Sequence, residues 1–190
     1  MKPPAVQLAT LVDQAPEGDD WVHEQKFDGY RIVAVRERAG APVRLYTRRG
    51  NDWTAQVPAI ADAVAALPGG RLVVDGEVAA VGPDGVTRFQ LLQQSLGTRD
   101  PRVVYFAFDL LAHDRRDLAP LPLVERKAAL AAVLAGAPPA LRYSDHVVGN
   151  GARVFAGACE RGLEGIVSKR ADAPYTPGRG AAWLKVKCKL

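Results

Sequence analysis

The chain has 190 residues, 48% hydrophobic and 24% charged, with 25 Lys+Arg against 21 Asp+Glu and a net charge of +4. That balance predicts one soluble domain with a substantial core and excludes a disordered chain. No apolar run approaches the ~20 residues of a bilayer-spanning helix, and Met1-Lys2-Pro3-Pro4 leads into no apolar signal region.

The elements read as mixed α and β without a regular βαβ alternation. Trp21–Gln25 and Tyr30–Arg38 predict strands separated by a turn at Asp28-Gly29, and Pro42–Thr47 predicts a third after Gly40. Ala55–Leu67 predicts a helix, because Trp53, Val57, Ile60, Ala61, Val64 and Leu67 recur at helical spacing before Pro68-Gly69-Gly70. Arg71–Val81 returns to strand character, Phe89–Leu96 to a short helix, and Val103–Leu111 to a buried strand. Leu123–Leu134 is an alanine-rich helix opened by Pro122, followed by a Pro/Ala connector over 135–140. Ala152–Arg161 predicts another helix, and Glu164–Ser168 and Trp183–Lys187 predict closing strands joined by a Pro/Gly-rich loop over 173–180. No repeat, low-complexity block or domain linker interrupts the series. Cys159 and Cys188 lack CxxC spacing and predict neither a zinc site nor a disulfide, in keeping with a reducing cytoplasm.

Charge is unevenly placed. Residues 161–190 hold seven Lys+Arg against two Asp+Glu, so all the net positive charge lies in the last thirty residues. A solvated basic tail is the ordinary reading; a surface that meets phosphates, of a nucleotide or of nucleic acid, is the sharper one.

Five segments carry candidate chemistry. Glu24-Gln25-Lys26-Phe27-Asp28-Gly29-Tyr30-Arg31 reads as a hairpin turn with solvated flanking charges. Alone, that reading would win; the sharper one is a loop that fixes Lys26 at a sheet end, where burial and the Arg31 cation favour the neutral, nucleophilic amine. Asp75-Gly76-Glu77 follows a buried strand as a turn, or supplies carboxylates to sugar hydroxyls or a divalent metal. In Tyr105–Leu111, Phe106 is read as core, and Phe108 on the same face is free to stack on a purine. Glu164–Arg170 is the fourth segment. In Trp183–Lys187, alternation puts Lys185 and Lys187 on one face, either as protection of a solvated edge or as partners for a polyphosphate.

Together with Thr47-Arg48-Arg49-Gly50, these segments follow the order of the nucleotidyltransferase motifs of ATP-dependent DNA ligases, and the chain resembles that family from about Leu8 to Lys187. The wording Phe-Asp-Gly-Tyr-Arg, Glu-Gly-Ile-Val-Ser-Lys-Arg and Trp-Leu-Lys-Val-Lys-Cys most resembles the ligase module of bacterial end-joining ligases. The resemblance implies an α+β fold of antiparallel sheets flanked by helices around a nucleotide cleft. It implies that Lys26 attacks the α-phosphate of ATP and keeps AMP, which passes to a DNA 5′-phosphate before the strand is sealed. It places Glu24 at the adenine amine, Arg31 and Arg48 near ribose and phosphates, Glu77 on the ribose 2′-hydroxyl, and Phe108 and Val167 on the two faces of the base. It makes Glu164 the ligand of Mg²⁺ or Mn²⁺ and Lys185 and Lys187 the phosphate neutralisers.

The same resemblance implies a monomeric adenylation domain over 1–190, without the oligonucleotide-binding-fold domain that follows in the family, so that full sealing by this segment alone is doubtful. Nicked or broken DNA and end-joining repair proteins are the implied partners, in the bacterial nucleoid and away from membranes. Two rival readings share the motifs: an RNA ligase or capping-type nucleotidyltransferase, and a nucleic-acid-binding module without turnover.

Overall fold

The computed structural model describes residues 2–189, so the end residues of the expected 1–190 domain, Met1 and Leu190, lie outside the described residues. In chain order the strands are β1 (Gln7–Leu11), β2 (Trp21–Gln25), β3 (Gly29–Arg36) and β4 (Arg44–Thr47), followed by a 3₁₀ turn (Thr54–Gln56) and α1 (Pro58–Ala65). Then come β5 (Leu72–Ala80), α2 (Phe89–Ser95), β6 (Val103–His113), β7 (Arg116–Asp117), α3 (Leu123–Leu134), β8 (Leu141–Tyr143) and β9 (His146–Val148). The chain closes with α4 (Gly151–Glu160), β10 (Gly165–Arg170) and β11 (Gly178–Lys187).

The strands form two sheets. One runs β1-β11-β10-β2-β9 and the other β4-β3-β5-β6-β7, with β8 added beside β6. The expected α+β fold of antiparallel sheets around a cleft holds, with two parallel pairings added, β1 with β11 and β6 with β8. The main core lies between the second sheet and α1, α2 and α3, around Ile32, Leu45, Ile60, Leu72, Leu92, Leu110 and Leu130. A second cluster, containing Val33, Val73, Phe108, Tyr175 and Trp183, fills the space between the sheets. A third packs Ala158, Leu163, Ile166 and Val186 beneath α4.

The expected turn at Asp28-Gly29 is not a hairpin. β2 belongs to the first sheet and β3 to the second, so residues 26–28 carry the chain across the cleft. Gly29 opens β3, and a Cβ there would run into the Val78 carbonyl oxygen of the neighbouring strand. Close approach of two backbones, rather than a turn conformation, is what requires glycine. Asp28 fixes the crossing from outside: its Oδ2 accepts the Phe89 N–H at 3.1 Å, tying the loop to the start of α2. The flanking charges are turned inward rather than solvated: Glu24 is buried and Arg31 is largely so.

Three further expectations are corrected. The Ala55–Leu67 helix is divided, because Pro58 at the start of α1 interrupts the helical period after a single 3₁₀ turn. Asp75 and Gly76 are interior to β5, paired with β3 and β6, and form no turn. Cys159, on α4, and Cys188, just after β11, form a disulfide with Cα atoms 5.4 Å apart, although no local spacing announced it. Arg36, at the end of β3, is buried where it donates to the carbonyls that follow α1, among them Leu67 at 3.0 Å and Gly69 at 2.8 Å. A cation at a helix C-terminus complements the dipole and satisfies orphan acceptors.

Candidate active-site cleft

Between the two sheets lies an open cleft lined by residues of both. Eight of the ten residues singled out in the sequence line it: Glu24, Lys26, Arg31, Arg48, Glu77, Phe108, Val167 and Lys185. The other two stand at its mouth. Glu164 Oε1 is 2.6 Å from Lys26 Nζ, and Lys187 Nζ is 3.7 Å from the same oxygen.

Strand alternation explains the convergence. Val167 pairs with Glu24 on β2 and with Lys185 on β11, so three strands present these residues side by side on the cleft face. Gly165 lets β10 lie against β11, since a Cβ there would meet the Val186 carbonyl oxygen, and its φ of 150° suits glycine. The second sheet answers with Arg31 and Glu77, directly paired across β3 and β5.

The two ends of the cleft differ in character. The inner end is walled by Phe108 and Trp183, both buried, with ring centroids 5.9 Å apart. Arg31 lies over the Phe108 ring at 4.8 Å. Its guanidinium does not sit free beside Lys26, as the sequence suggested. Arg31 Nε and Nη2 each donate to Asp75 at 2.6 Å, a bidentate pair that Tyr175 completes by donating its hydroxyl to Asp75 Oδ2 at 2.6 Å. Burial alone would ease the Arg31 proton off, but the Asp75 carboxylate raises the guanidinium above its ordinary value. The charge of Arg31 is therefore already balanced by Asp75, and the partner of Lys26 is a carboxylate, Glu164.

The outer end is basic. Lys26, Arg48, Arg179 and Lys185 line it, and Lys187 stands just beyond. Burial, followed by the like charges of Lys26 and Lys187, lowers the Lys185 ammonium below its usual range. Such a cluster is destabilised until an anion enters. Glu77 shows the opposite effect: burial, opposed by Arg31 and Lys26, pushes its carboxyl up to about 7.

Sequence reasoning missed several residues of this site, among them Phe27 and Arg179. Lys169 and Trp183 line the cleft although both were quoted in motifs without a role; the i, i+2 spacing from Val167 to Lys169, and from Trp183 to Lys185, was the available signal. Lys127 on α3 reaches Glu24 across 103 positions of sequence, which no local pattern could announce. One assignment is also corrected. Phe106 is half-buried rather than core, and stacks on the cleft-lining Phe27 with ring centroids 4.0 Å apart.

Among the described residues, no group of three or more His, Cys, Asp or Glu side chains gathers as a metal site. Magnesium is commonly held by one or two carboxylates with substrate phosphates and water making up the rest. Glu164 beside the lysine cluster fits an ion delivered with a polyphosphate, and the donor set does not fit a resident metal.

Known proteins resemble this chain in sequence and in fold. Residues 5–187 match the family described as ATP dependent DNA ligase domain. The chain is 39% identical over 188 residues to the multifunctional non-homologous end joining protein LigD of Pseudomonas aeruginosa, covering 98% of this chain and 22% of that protein. It is 42% identical over 192 residues to a probable DNA ligase of Beutenbergia cavernae, covering 96% of this chain and 37% of the relative. A mycobacterial DNA ligase D structure, complexed with ATP and MES, superposes with a TM-score of 0.81 at 36% identity, over 96% of this chain and 60% of that one. The Chlorella virus DNA ligase-adenylate shares the fold at a TM-score of 0.69 and 16% identity, over 98% of this chain and 69% of that one. The chain thus spans well under half of the curated relatives it matches.

Proposed function

The chain belongs to the ATP-dependent DNA ligase domain family, and from that premise we propose that it is the adenylylating core of a DNA-sealing enzyme. ATP is its nucleotide substrate. Lys26 Nζ, once it has shed a proton to solvent, attacks the α-phosphorus; the new N–P bond replaces the P–O bond to the departing pyrophosphate. The AMP held on Lys26 then passes to the 5′-phosphate of a nicked or broken strand, and a 3′-hydroxyl displaces it to close the backbone.

The observation that carries this reading is the polarity of the cleft. Lys26 and Lys187 pair with Glu164 at its mouth beside Lys185, while aromatic side chains wall its inner end. A purine fits the inner end and a triphosphate the outer one. Phe108 and Val167 sandwich the base, Glu24 reads its exocyclic amine, and Glu77 takes the ribose 2′-hydroxyl. Arg31 and Arg48 stand near ribose and phosphates, and Lys185 and Lys187 neutralise the α-phosphate and the leaving pyrophosphate. Transfer of this kind depends on in-line positioning and on fixed charges placed where negative charge develops. Mg²⁺ or Mn²⁺, when bound, supplies further neutralisation of phosphate oxygens, and Glu164 is the residue that would hold it.

In this reading the described segment is one adenylation unit that works with an oligonucleotide-binding-fold domain to complete sealing and is brought to DNA ends by end-joining repair proteins. No described helix is long and apolar enough to cross a membrane, and the bacterial nucleoid is the proposed site of action.

The test is intact mass before and after incubation with ATP and Mn²⁺, and again after pyrophosphate, with Lys26→Ala as control. An AMP-sized increase that pyrophosphate reverses, and that the variant lacks, is the expected result. No adduct under any condition, with or without an oligonucleotide-binding-fold domain supplied in trans, would give the binding-module reading the lead.

A further inference from the structure

The inner end of the cleft holds two ammonium groups on one carboxylate. Glu24, Lys127 and Lys169 are all essentially buried; Lys127 pairs with Glu24 Oε1 and Lys169 with Oε2. Lys127 also donates to the Ser144 carbonyl at 2.8 Å, and its ammonium lies 4.6 Å from the centre of the Tyr143 ring. Lys169 is less well provided for. It lies 4.2 Å and 4.3 Å from the ring centres of Phe108 and Trp183, and its Nζ makes no aligned hydrogen bond to any described group. Lys169 and Glu24 line the cleft; Lys127 does not, and approaches the carboxylate from α3 behind it.

An uncompensated buried positive charge is costly, and unsatisfied buried N–H donors add to the cost. A fold that keeps both at the wall of a cleft has a use for an acceptor arriving there. The free side of the cluster offers a carboxylate acceptor next to a cationic donor. Its complement is an amidine-like edge, an amino donor beside a ring nitrogen acceptor, which is what adenine carries at its 6-amino group and N1.

We propose that Lys127 is a positioning residue for base recognition: it anchors Glu24 from behind, so that Glu24 and Lys169 together present an acceptor–donor pair to the adenine edge. The proposal rests on the reading of the cleft as an ATP site. Lys127 touches no nucleotide itself, and its effect is transmitted through Glu24. It therefore acts on affinity and base discrimination, at the end of the cleft away from Lys26, and leaves the phosphate chemistry alone.

The experiment compares wild type, Lys127→Met and Lys127→Arg, with lysyl-nucleotide formation followed by intact mass across a range of ATP and of purine riboside triphosphate, which lacks only the 6-amino group. Lys127→Met leaves one lysine per carboxylate, so the buried charge balances and the fold is retained; Lys127→Gln, which keeps a donor for Ser144, repeats the measurement should the first variant melt. Wild type is expected to prefer ATP by about tenfold or more, the usual scale of a hydrogen bond to a charged group. Lys127→Met is expected to raise the half-saturating ATP concentration by about tenfold, keep the saturating rate within about twofold, and bring the two triphosphates nearly level, with Lys127→Arg restoring the preference. An unchanged preference in a folded Lys127→Met protein would overturn the proposal, as would a fall in saturating rate alone. A wild type that forms no adduct overturns the adenylylation reading instead; titration of AMP and of purine riboside monophosphate into the same proteins then still decides the role of Lys127.

Discussion

Lys26 Nζ and Glu164 Oε1 stand 2.6 Å apart at the mouth of the cleft, with side chains 20% and 23% exposed. The pair joins the crossing between the sheets to the segment just before β10, and so sets the position of the amine before any nucleotide is present. A partly exposed ion pair of this kind is worth little to stability, about 1 kcal/mol or less. Its value lies in positioning and in the carboxylate it offers to a phosphate-borne cation. Glu164→Gln is expected to keep the melting temperature within about 2 °C of wild type and to lower the rate of lysyl-AMP formation by about a hundredfold or more. Differential scanning calorimetry alongside intact-mass kinetics checks both halves; normal adenylylation by the variant would remove the metal role given to Glu164.

Glu77 provides a pH test. Burial raises its carboxyl to about 7, from 4.5 in an ordinary setting. Between those values the folded protein holds a proton that the unfolded chain has released. Folding is therefore favoured at low pH and weakened as pH rises from about 4.5 through 7, with the full deficit present above. Glu77→Gln removes the dependence. Urea melts should show the variant gaining on wild type between pH 5 and pH 8.5, by no more than roughly 3 kcal/mol. The same gap at both pH values would mean that Glu77 titrates normally.

What the sequence disclosed, and what it withheld, follows from the range of the interactions. β5, α3 and most of β6 are periodic over many residues, and their bounds are close to those expected. β8 and β9 are three residues each, too short for any period to register, and β1 is held in place by β11, some 170 positions away. The cleft followed the same rule. Lys26, Glu164 and Lys185 stand in local motifs and were found. The Arg31–Asp75–Tyr175 network and the Lys127–Glu24 pair join residues 44, 100 and 103 positions apart, and the neutralisation of Arg31 was invisible for that reason.

That network makes its own prediction. Asp75 is fully buried and accepts both Arg31 nitrogens and the Tyr175 hydroxyl. Asp75→Ala leaves the buried Arg31 cation without a carboxylate, with only the Gln7 carbonyl at 3.0 Å as acceptor, which costs about 3–5 kcal/mol. Tyr175→Phe removes one hydrogen bond to a charged group, at about 1.5–3 kcal/mol. In the Asp75→Ala background the Tyr175 hydroxyl has already lost its acceptor, so the two losses should fall short of additive by about 1 kcal/mol or more. Chemical denaturation of the four proteins in the cycle measures the coupling directly, and strict additivity would show that the hydroxyl contributes nothing through Asp75.

The Cys159–Cys188 disulfide ties the last turn of α4 to the residue after Lys187, across a sequence separation of 29. Both anchors border the cleft mouth: Cys159 precedes Glu164 by one short loop, and the Cys188 N–H donates to the Glu164 carbonyl at 3.0 Å. A closed loop of this size restricts the unfolded chain by roughly 3–4 kcal/mol on the chain-entropy scale. Cys159→Ser and Cys188→Ser are each expected to lower the melting temperature of the oxidised protein by about 10 °C or more. Dithiothreitol should lower wild type to match the variants and leave the variants unmoved. Because β10 and β11 remain paired through Ile166–Val186 and Val167–Lys185, the reduced protein should keep its fold and still form lysyl-AMP at moderate temperature. A wild-type melting curve indifferent to reductant would show that the bridge contributes no stability, and a reductant effect equal in both serine variants would place the sensitivity elsewhere.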